Sequence, residues 1–524
     1  MIITAFGVSL FLVTSSVVSA VEVPRWQPQD FVFSSDAKPS NPFSVAFSAT
    51  ARGPDGATFE TSGFYDGGAI WKVRVAPGAG GEWSLTTHSD IPDLDNKTCR
   101  FRCVGNTNSQ VHGRLLVDPK HRHHFMFEDG SRCFLMGYEC DWLWALDSNG
   151  PGLPTSVLKT LEPLLDKLQK HGFNCVILNA YAYDTAWRKG KTGPDDYGPP
   201  PLYAWGGSNA QPDHSRFNLE YWQHYDKVIE ALNKRGMIAH LMIKVYNKQV
   251  RWPVKESAED DLYFRWLIAR YAAFPNVVWD LAKEANYEKS LQYKTGRLRF
   301  IRKNDPYHRL LTVHTDAATY DSGAYDKLLD YRTDQVHANW HASILKHRVE
   351  CAWPVLNSEF GYEHGPAGPK DMTYGVAQSP EEVCRRAWQI YLAGGYGAYY
   401  YTYAAWDVVR PNDTPPGYAY FRHLSEFFAD TSYWLLEPSD ALVSDGLCLA
   451  QPGKEYVVYM DRAKPFSLKL AGLAAPLASQ WYQPLTGKRI DGARLDNGNV
   501  ELTPPVDWNG PLALHVGERL KSQR

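Results

Sequence analysis

Several absences narrow the field before any motif is read. No run of five or six like charges occurs in the 524 residues, and the formal net charge is only −3. Nucleic acid and anionic membrane surfaces therefore find no electrostatic footprint here. Beyond the N-terminus no stretch approaches eighteen apolar residues, so no further segment reads as membrane-spanning. The eight cysteines include no C-x-x-C pair, and no histidine pair accompanies them at zinc-site spacing. Neither a metal nor a cofactor is expected. No segment has the composition of a low-complexity linker, so the parts of the chain are expected to pack against one another.

What is abundant is aromatic. Phe, Tyr and Trp make up 14% of the chain, with 18 Trp and 31 Tyr. Sugar rings present apolar C–H faces that stack on aromatic planes, so the surplus suits a carbohydrate cleft; the alternative is that most of these rings line a core. The length is too great for one ordinary domain. Ala5 to Val18 is an apolar run ending in Val18-Ser19-Ala20, too short to span a bilayer comfortably. Residues 1–20 therefore read as a signal peptide, and the mature protein as secreted or periplasmic. The leading Met1-Ile2-Ile3-Thr4 carries no Lys or Arg, which leaves a retained anchor as the alternative. Export permits disulfides, but spacing assigns no pairing. Cys175, Cys351 and Cys384 stand in apolar surroundings and read as buried thiols.

Three segments follow. Residues 21–120 alternate with period two, as in Phe43–Thr50, Ile70–Val75 and Gly81–Thr86, with turn signals between them. This is the pattern of a β-sandwich. Residues 121–434 switch to strand and helix in turn. Val157, Leu158, Leu161, Leu164, Leu165 and Leu168 share one helical face that stops at His171-Gly172, and strand Cys175–Asn179 follows at once. Ser379-Pro380-Glu381-Glu382 is a capping box that opens another helix.

Eight strands emerge: Phe134–Gly137, Cys175–Asn179, Met237–Lys244, Val277–Leu281, Leu310–His314, Tyr331–Ala338, Val355–Glu359 and Ala398–Tyr403. Alternation with helices implies parallel crossovers, and eight of them imply an α/β fold, a (β/α)8 TIM barrel. A doubly wound open sheet fits less well, because no glycine-rich phosphate loop follows the first strand. Residues 435–524 return to alternation and read as a second small β-sandwich.

In such a barrel the chemistry sits at the C-terminal strand ends. Lys283-Glu284 follows strand four and Glu359 ends strand seven, nearly opposite across the mouth. Glycosidic hydrolysis needs an acid for the leaving oxygen and a carboxylate for the oxocarbenium-like centre, so Glu284 and Glu359 are the expected catalytic pair. Either could instead anchor a loop by a salt bridge. The other strand ends supply candidate sugar-binding groups: Glu139, Asp141, Trp142, Asn179, Tyr181, Lys244, Lys283, Asn286, His314, His337, Asn339, Tyr403 and Trp406, with Asp316 and Glu363 as further carboxylates.

The strand-four and strand-seven glutamates resemble the arrangement of clan A glycoside hydrolases, which implies Glu284 as acid/base and Glu359 as nucleophile of a retaining mechanism. Phe127-Glu-Asp-Gly-Ser-Arg-Cys-Phe-Leu-Met-Gly137 is similar to the first barrel strand of the apiosidase-like group. Phe64-Tyr-Asp-Gly-Gly68 and Gly81-Glu-Trp83 resemble the sandwich often joined to that barrel, and Trp481-Tyr-Gln-Pro-Leu-Thr-Gly487 resembles its collagen-binding-type C-terminal domain. The resemblance implies a plant or algal polysaccharide, or its oligosaccharides, as substrate. It breaks at one position: clan A enzymes carry Asn before the acid/base, on the sugar 2-hydroxyl, and here that residue is Lys283. Either Asn286 takes that role, or Lys283 meets an anionic sugar together with Lys244, His314, His337 and His341, or Lys283 pairs with a neighbouring carboxylate. A polysaccharide lyase and a non-catalytic carbohydrate-binding protein are the competing functions. Glu284 is expected in the less polar surroundings, holding its proton near neutrality, with Glu359 kept ionised by hydrogen bonds.

Overall fold

A computed structural model describes residues 21–148, 158–184, 202–325, 327–369, 377–404 and 409–520. The expected signal peptide and Trp406 lie outside these residues. Eight strands come first: β1 (Val21–Pro24), β2 (Gln29–Ser34), β3 (Phe47–Arg52), β4 (Thr58–Ser62), β5 (Phe64–Gly67), β6 (Ile70–Val75), β7 (Gly81–Ser89) and β8 (Thr98–Val104). They form one sheet in the order β1-β8-β7-β3-β4 and another in the order β2-β6-β5. In β7 the alternate residues Trp83, Leu85 and Thr87 are buried, and Trp71, Val73 and Phe101 meet them in a core of their own.

A small antiparallel sheet, β9 (Leu115–Val117), β10 (Phe125–Phe127) and β11 (Arg132–Cys133), leads into the barrel. Its Phe125 is wholly buried against Tyr331 and Tyr396 and so seals the end opposite the mouth. The barrel elements are β12 (Met136–Glu139), α1 (Leu161–Lys170), β13 (Cys175–Asn179), the hairpin β14 (Trp205–Gly207) and β15 (Pro212–Phe217), α2 (Leu219–Lys234), β16 (Ile238–Val245), α3 (Ala258–Tyr271), β17 (Val277–Lys283) and α4 (Leu291–Asn304). They continue with β18 (Leu311–Thr312), β19 (His314–Asp316), the single turn α5 (Ser322–Tyr325), β20 (Arg332–Gln335), α6 (Trp340–Glu350), β21 (Val355–Glu359), α7 (Pro380–Leu392), β22 (Tyr396–Tyr399) and α8 (Pro416–Ala429). The strand order is β18-β17-β16-β13-β12-β22-β21-β20-β19, every pairing is parallel, and β22 pairs with β12. Nine strands make eight staves because the fifth is broken at Val313. Asp280 occupies the break, where its carboxylate accepts from the His314 backbone N–H at 2.9 Å.

The local grammar holds. Leu161, Leu164, Leu165 and Leu168 are the buried face of α1, and Ser379 Oγ accepts from the Glu382 N–H to cap α7. Gly236 ends α2 at φ +64°, where a Cβ would stand 2.0 Å from the Gln110 carbonyl, so only glycine fits. No helix among the described residues is long and apolar enough to cross a membrane. All eight cysteines are buried and unpaired.

The C-terminal strands are β23 (Glu437–Pro438), β24 (Leu447–Gln451), β25 (Glu455–Met460), β26 (Phe466–Leu470), β27 (Ser479–Tyr482), β28 (Arg489–Asp491), β29 (Gly498–Leu502) and β30 (Leu512–Val516). Six of them form the sheet β23-β24-β25-β30-β27-β28, and β26 pairs with β29. All of β25 is buried because the sheet is covered on both faces. Val457 and Tyr459 join the barrel core, while Tyr456, Val458 and Met460 join the core shared with β26 and β29.

Candidate active site

Glu284 follows β17 at φ 56° and ψ 44°, a left-handed conformation that a residue with a Cβ rarely adopts. Holding it there costs roughly 1–3 kcal/mol, and such strain concentrates where geometry serves chemistry. The turn lifts Glu284 off the strand before a short 3-10 helix, Ala285–Tyr287. Glu359 ends β21 and is set by Asn357, whose Oδ1 accepts from the Glu359 N–H at 3.2 Å and whose Nδ2 donates to the Val336 carbonyl at 3.1 Å. A register shift in β20 places Gln335 opposite Glu359.

One side chain then ties the pair. Gln335 Nε2 donates to Glu284 Oε1 at 2.9 Å and to Glu359 Oε2 at 2.7 Å. Those two oxygens are no further apart than the two bonds laid end to end, so both carboxylates face one cleft. Asn247 Nδ2 adds a longer bond of 3.4 Å to Glu284 Oε1. Neither Gln335 nor Asn247 stands out in the sequence: an amide just inside a strand end carries no periodic signature, and sequence reading carried strand six on to Ala338.

The expected division of environments is reversed. Glu284 is half-buried, whereas Glu359 is 7% exposed. Burial pushes the Glu359 carboxyl up, Lys283 pulls it down, Glu284 and Asp141 push it up again, and it comes to about 7. The end of β21 lies deeper in the barrel than the turn after β17, so desolvation falls on the strand-seven glutamate.

Beneath the pair lies a buried polar cluster. Lys283 Nζ donates to Glu139 Oε1 at 2.9 Å, Asp141 Oδ2 at 2.8 Å and the Tyr400 hydroxyl at 2.8 Å. Of the three readings open for Lys283, pairing with neighbouring carboxylates is the one the structure shows. Glu139 and Asp141 have no exposed surface. Burial and the Asp141 charge hold Glu139 well above the usual carboxylate range despite Lys283, while Lys283 overcomes burial to depress Asp141.

The other expected sugar-binding groups divide. Lys244 is not in the cleft: its side chain faces the helix layer, where its Nζ is buried beneath α3 and α4, bonded to Asp260 at 2.6 Å and to the Tyr293 hydroxyl at 2.5 Å. His314 is wholly buried, with Nε2 3.3 Å from the Ser358 hydroxyl, and burial together with Lys283 depresses its pKa so that it stays neutral. His341 is held by Asp440 at 2.8 Å and the Gln389 carbonyl at 3.0 Å. Trp142 and Tyr181 each stack with Trp144, and both are fully buried rather than exposed platforms. Asn179 is also fully buried, and neither of its side-chain polar atoms has a partner. Asn286 Oδ1 is buried without a partner in the turn after Glu284. His337 and Asn339 are exposed at the rim, and Asn339 opens α6 at φ 52°. Tyr403 is buried under the Arg410 guanidinium, 3.6 Å from its ring centre. Asp316 caps a short turn at Ala318, and Glu363 is bound to the Tyr399 hydroxyl at 2.7 Å.

The family model for the apiosidase-like catalytic domain matches residues 119–461, and a domain of unknown function, DUF5060, matches residues 22–90. Among curated proteins no relative is matched. A crystal structure of a candidate glycoside hydrolase from Bacteroides vulgatus superposes with a TM-score of 0.76 at 21% identity, covering 95% of this chain and 100% of that one. A glycoside hydrolase family 5 protein from the same organism gives 0.58 at 17% identity, over 78% of this chain and 93% of its own. At these identities the likeness shows the fold, and the family match shows the class: the chain belongs to the apiosidase-like family and is a glycoside hydrolase.

Proposed function

We propose that the protein hydrolyses glycosides with retention, Glu359 attacking the anomeric carbon and Glu284 protonating the departing oxygen. The observation that carries this reading is the Gln335 amide held by both carboxylates. It holds their facing oxygens within two hydrogen-bond lengths, which favours the separation of about 5–5.5 Å at which a carboxylate reaches the anomeric carbon directly over the roughly 6.5–9.5 Å that admits a water. The half-exposed Glu284 is open to solvent, as an acid that later serves as base must be.

The described residues favour an uncharged sugar at this subsite. Among the described residues Lys244, Lys283 and His341 are each engaged within the protein and His314 is buried and neutral, which leaves His337 at the rim as the one of these groups free to meet a carboxylate or sulfate. That also counts against a lyase, which needs a cation beside the uronate. The substrate proposed is a neutral plant or algal polysaccharide or an oligosaccharide from it, with apiosides the first to test given the family match. The apolar run before Ala20 supports export of the enzyme.

A panel of neutral and acidic glycans with 4-nitrophenyl glycosides tests the reading. Saturated reducing ends, with the anomeric configuration of the first product kept in proton NMR, are expected. Unsaturated ends would make it a lyase, no product a binding protein, and an inverted product would remove the covalent step. Glu359→Gln should abolish turnover, and Glu284→Gln should lower kcat by roughly 10²–10⁴ on poor leaving groups while sparing activated ones. Retention of more than a few per cent of activity by Glu359→Gln removes it as nucleophile, and the opposite pattern in the two variants reverses their roles. With Glu359 at about 7, kcat/KM should fall as pH drops below neutrality, since the protonated carboxyl cannot attack.

A further inference from the structure

The lysine before Glu284 is wholly enclosed and fully satisfied. Its ammonium has three hydrogens, and Glu139, Asp141 and Tyr400 accept one each within 2.9 Å. No hydrogen is left for a sugar hydroxyl. On the far side of these acceptors, Glu139 Oε2 and Asp141 Oδ1 are buried with no other donor. A proton held on Glu139 satisfies both oxygens, and burial beside Asp141 favours keeping it there. The cluster then holds one fixed positive charge, Lys283, balanced by one negative charge, Asp141.

The cluster lies under Glu359. Groups act on that carboxylate from several strand ends: Gln335 from β20, Glu284 and Lys283 from the end of β17, Asp141 from the end of β12 and Tyr400 from the end of β22, with the neutral His314 of β19 held beside it on Ser358. Burial, Glu284 and Asp141 all favour the uncharged carboxyl, and Lys283 is the cation that opposes them. An asparagine in its place would carry no charge.

We propose that Lys283 is a positioning residue for the nucleophile: clamped by Glu139, Asp141 and Tyr400, its ammonium is a fixed positive charge that favours the charged form of the buried Glu359 carboxylate. The clamp matters as much as the charge. A lysine free to swing would bond Glu359 directly and block attack, whereas one held by three acceptors acts through its field alone. The inference rests on the reading of Glu359 as nucleophile, and the test separates the two.

Glu359 is titrated in the full-length enzyme by carbon-13 NMR of carboxyl-labelled glutamate, its signal assigned by loss in Glu359→Gln. In Lys283→Met the Glu359 midpoint should rise by roughly one to three units. Lys283→Arg should restore most of the shift. Asp141→Asn, which removes an anion that repels Glu359, should move the midpoint down, and it keeps the question answerable if Lys283→Met does not fold. The acid limb of kcat/KM, measured on the 4-nitrophenyl glycoside turned over fastest, should follow the midpoint in each variant. An unmoved midpoint in Lys283→Met, or a rise in Asp141→Asn, overturns the role of Lys283. A midpoint that moves while the acid limb stays put places the failure in the assignment of Glu359 instead.

Discussion

The two β-sheet units are fastened to the barrel in different ways. On the N-terminal side a buried ionic network is added to the aromatic contacts that Phe43 and Phe64 make with Trp266 of α3. Arg74 of β6 donates to Asp226 of α2 at 3.0 Å and to the Arg270 carbonyl of α3 at 2.7 Å, Arg270 donates to Asp226 at 2.6 Å and to Asp66 of β5 at 3.1 Å, and Lys72 meets Asp66 at 2.7 Å. Both arginines are buried. On the C-terminal side the joint is apolar. Trp388 of α7 stacks on Tyr459 of β25 at 5.1 Å, Phe427 of α8 packs on Tyr482 at 5.0 Å, and the ion pairs there, such as Arg489–Asp430, are partly exposed. Leu449, Val457, Tyr459 and Ala513 belong to the barrel's own core, whereas the two N-terminal sheets add Phe64, with Phe43 partly buried against it. One unit is bolted on by charges that must stay paired; the other completes a hydrophobic core.

Four outcomes would sharpen or break that contrast. The largest effect is expected from removing residues 437–524, which uncovers Trp388, Phe427 and the faces of α7 and α8. The truncated chain should be insoluble, and a soluble, active barrel would show the C-terminal unit to be a separable module. Single substitutions come next. Trp388→Ala and Asp226→Ala should each cost about 3–5 kcal/mol in chemical denaturation, the first by leaving a cavity and the second by stranding two buried arginines. Replacing Arg74, Asp226 and Arg270 together by apolar residues of similar size should be nearly neutral. A large loss in that triple variant would mean that the joint needs its charges.

The smallest effect is a pH dependence confined to one joint. Burial pushes Asp30 and Asp226 up, but Arg74 and Arg270 more than offset it, so both carboxyls lie below their unfolded values. Their contribution is complete above the unfolded carboxylate pKa of about 4 and is lost as pH falls towards the folded values. Hydrogen exchange between pH 5 and 3 should show β5 and β6 loosening from α2 and α3 while β25 stays protected. Equal loosening of both would erase the distinction.

Much of this was legible beforehand. Alternation of strand and helix, glycine stops such as Gly172 and Gly236, and the Ser379 cap are local signals, and each marks an element that the structure contains. Glu284 and Glu359 were legible because the barrel places chemistry at strand ends. Strand ends themselves were not. The first and eighth strands, expected at Phe134–Gly137 and Ala398–Tyr403, are found at Met136–Glu139 and Tyr396–Tyr399, since the runs around them are apolar on both sides of the boundary. The break in the fifth strand was equally hidden, because Asp280, a residue of another strand, fills it.

The amino-acid pattern by itself determined the class of fold, the order of its parts and which two carboxylates would stand at the mouth, all consequences of periodicity and of where parallel strands end. Tertiary structure alone decided what those carboxylates experience. Lys244 and Lys283 look alike in sequence, each near a strand end, yet one is drawn under the helices by Asp260 and the other is clamped beneath the cleft by Glu139 and Asp141. Glu359 is raised and Glu284 left half-exposed by depth in the barrel, and Gln335 joins them through a one-residue shift in register. Burial and long-range pairing set those properties. Both arise from residues distant in the chain, so no local stretch of sequence carries them.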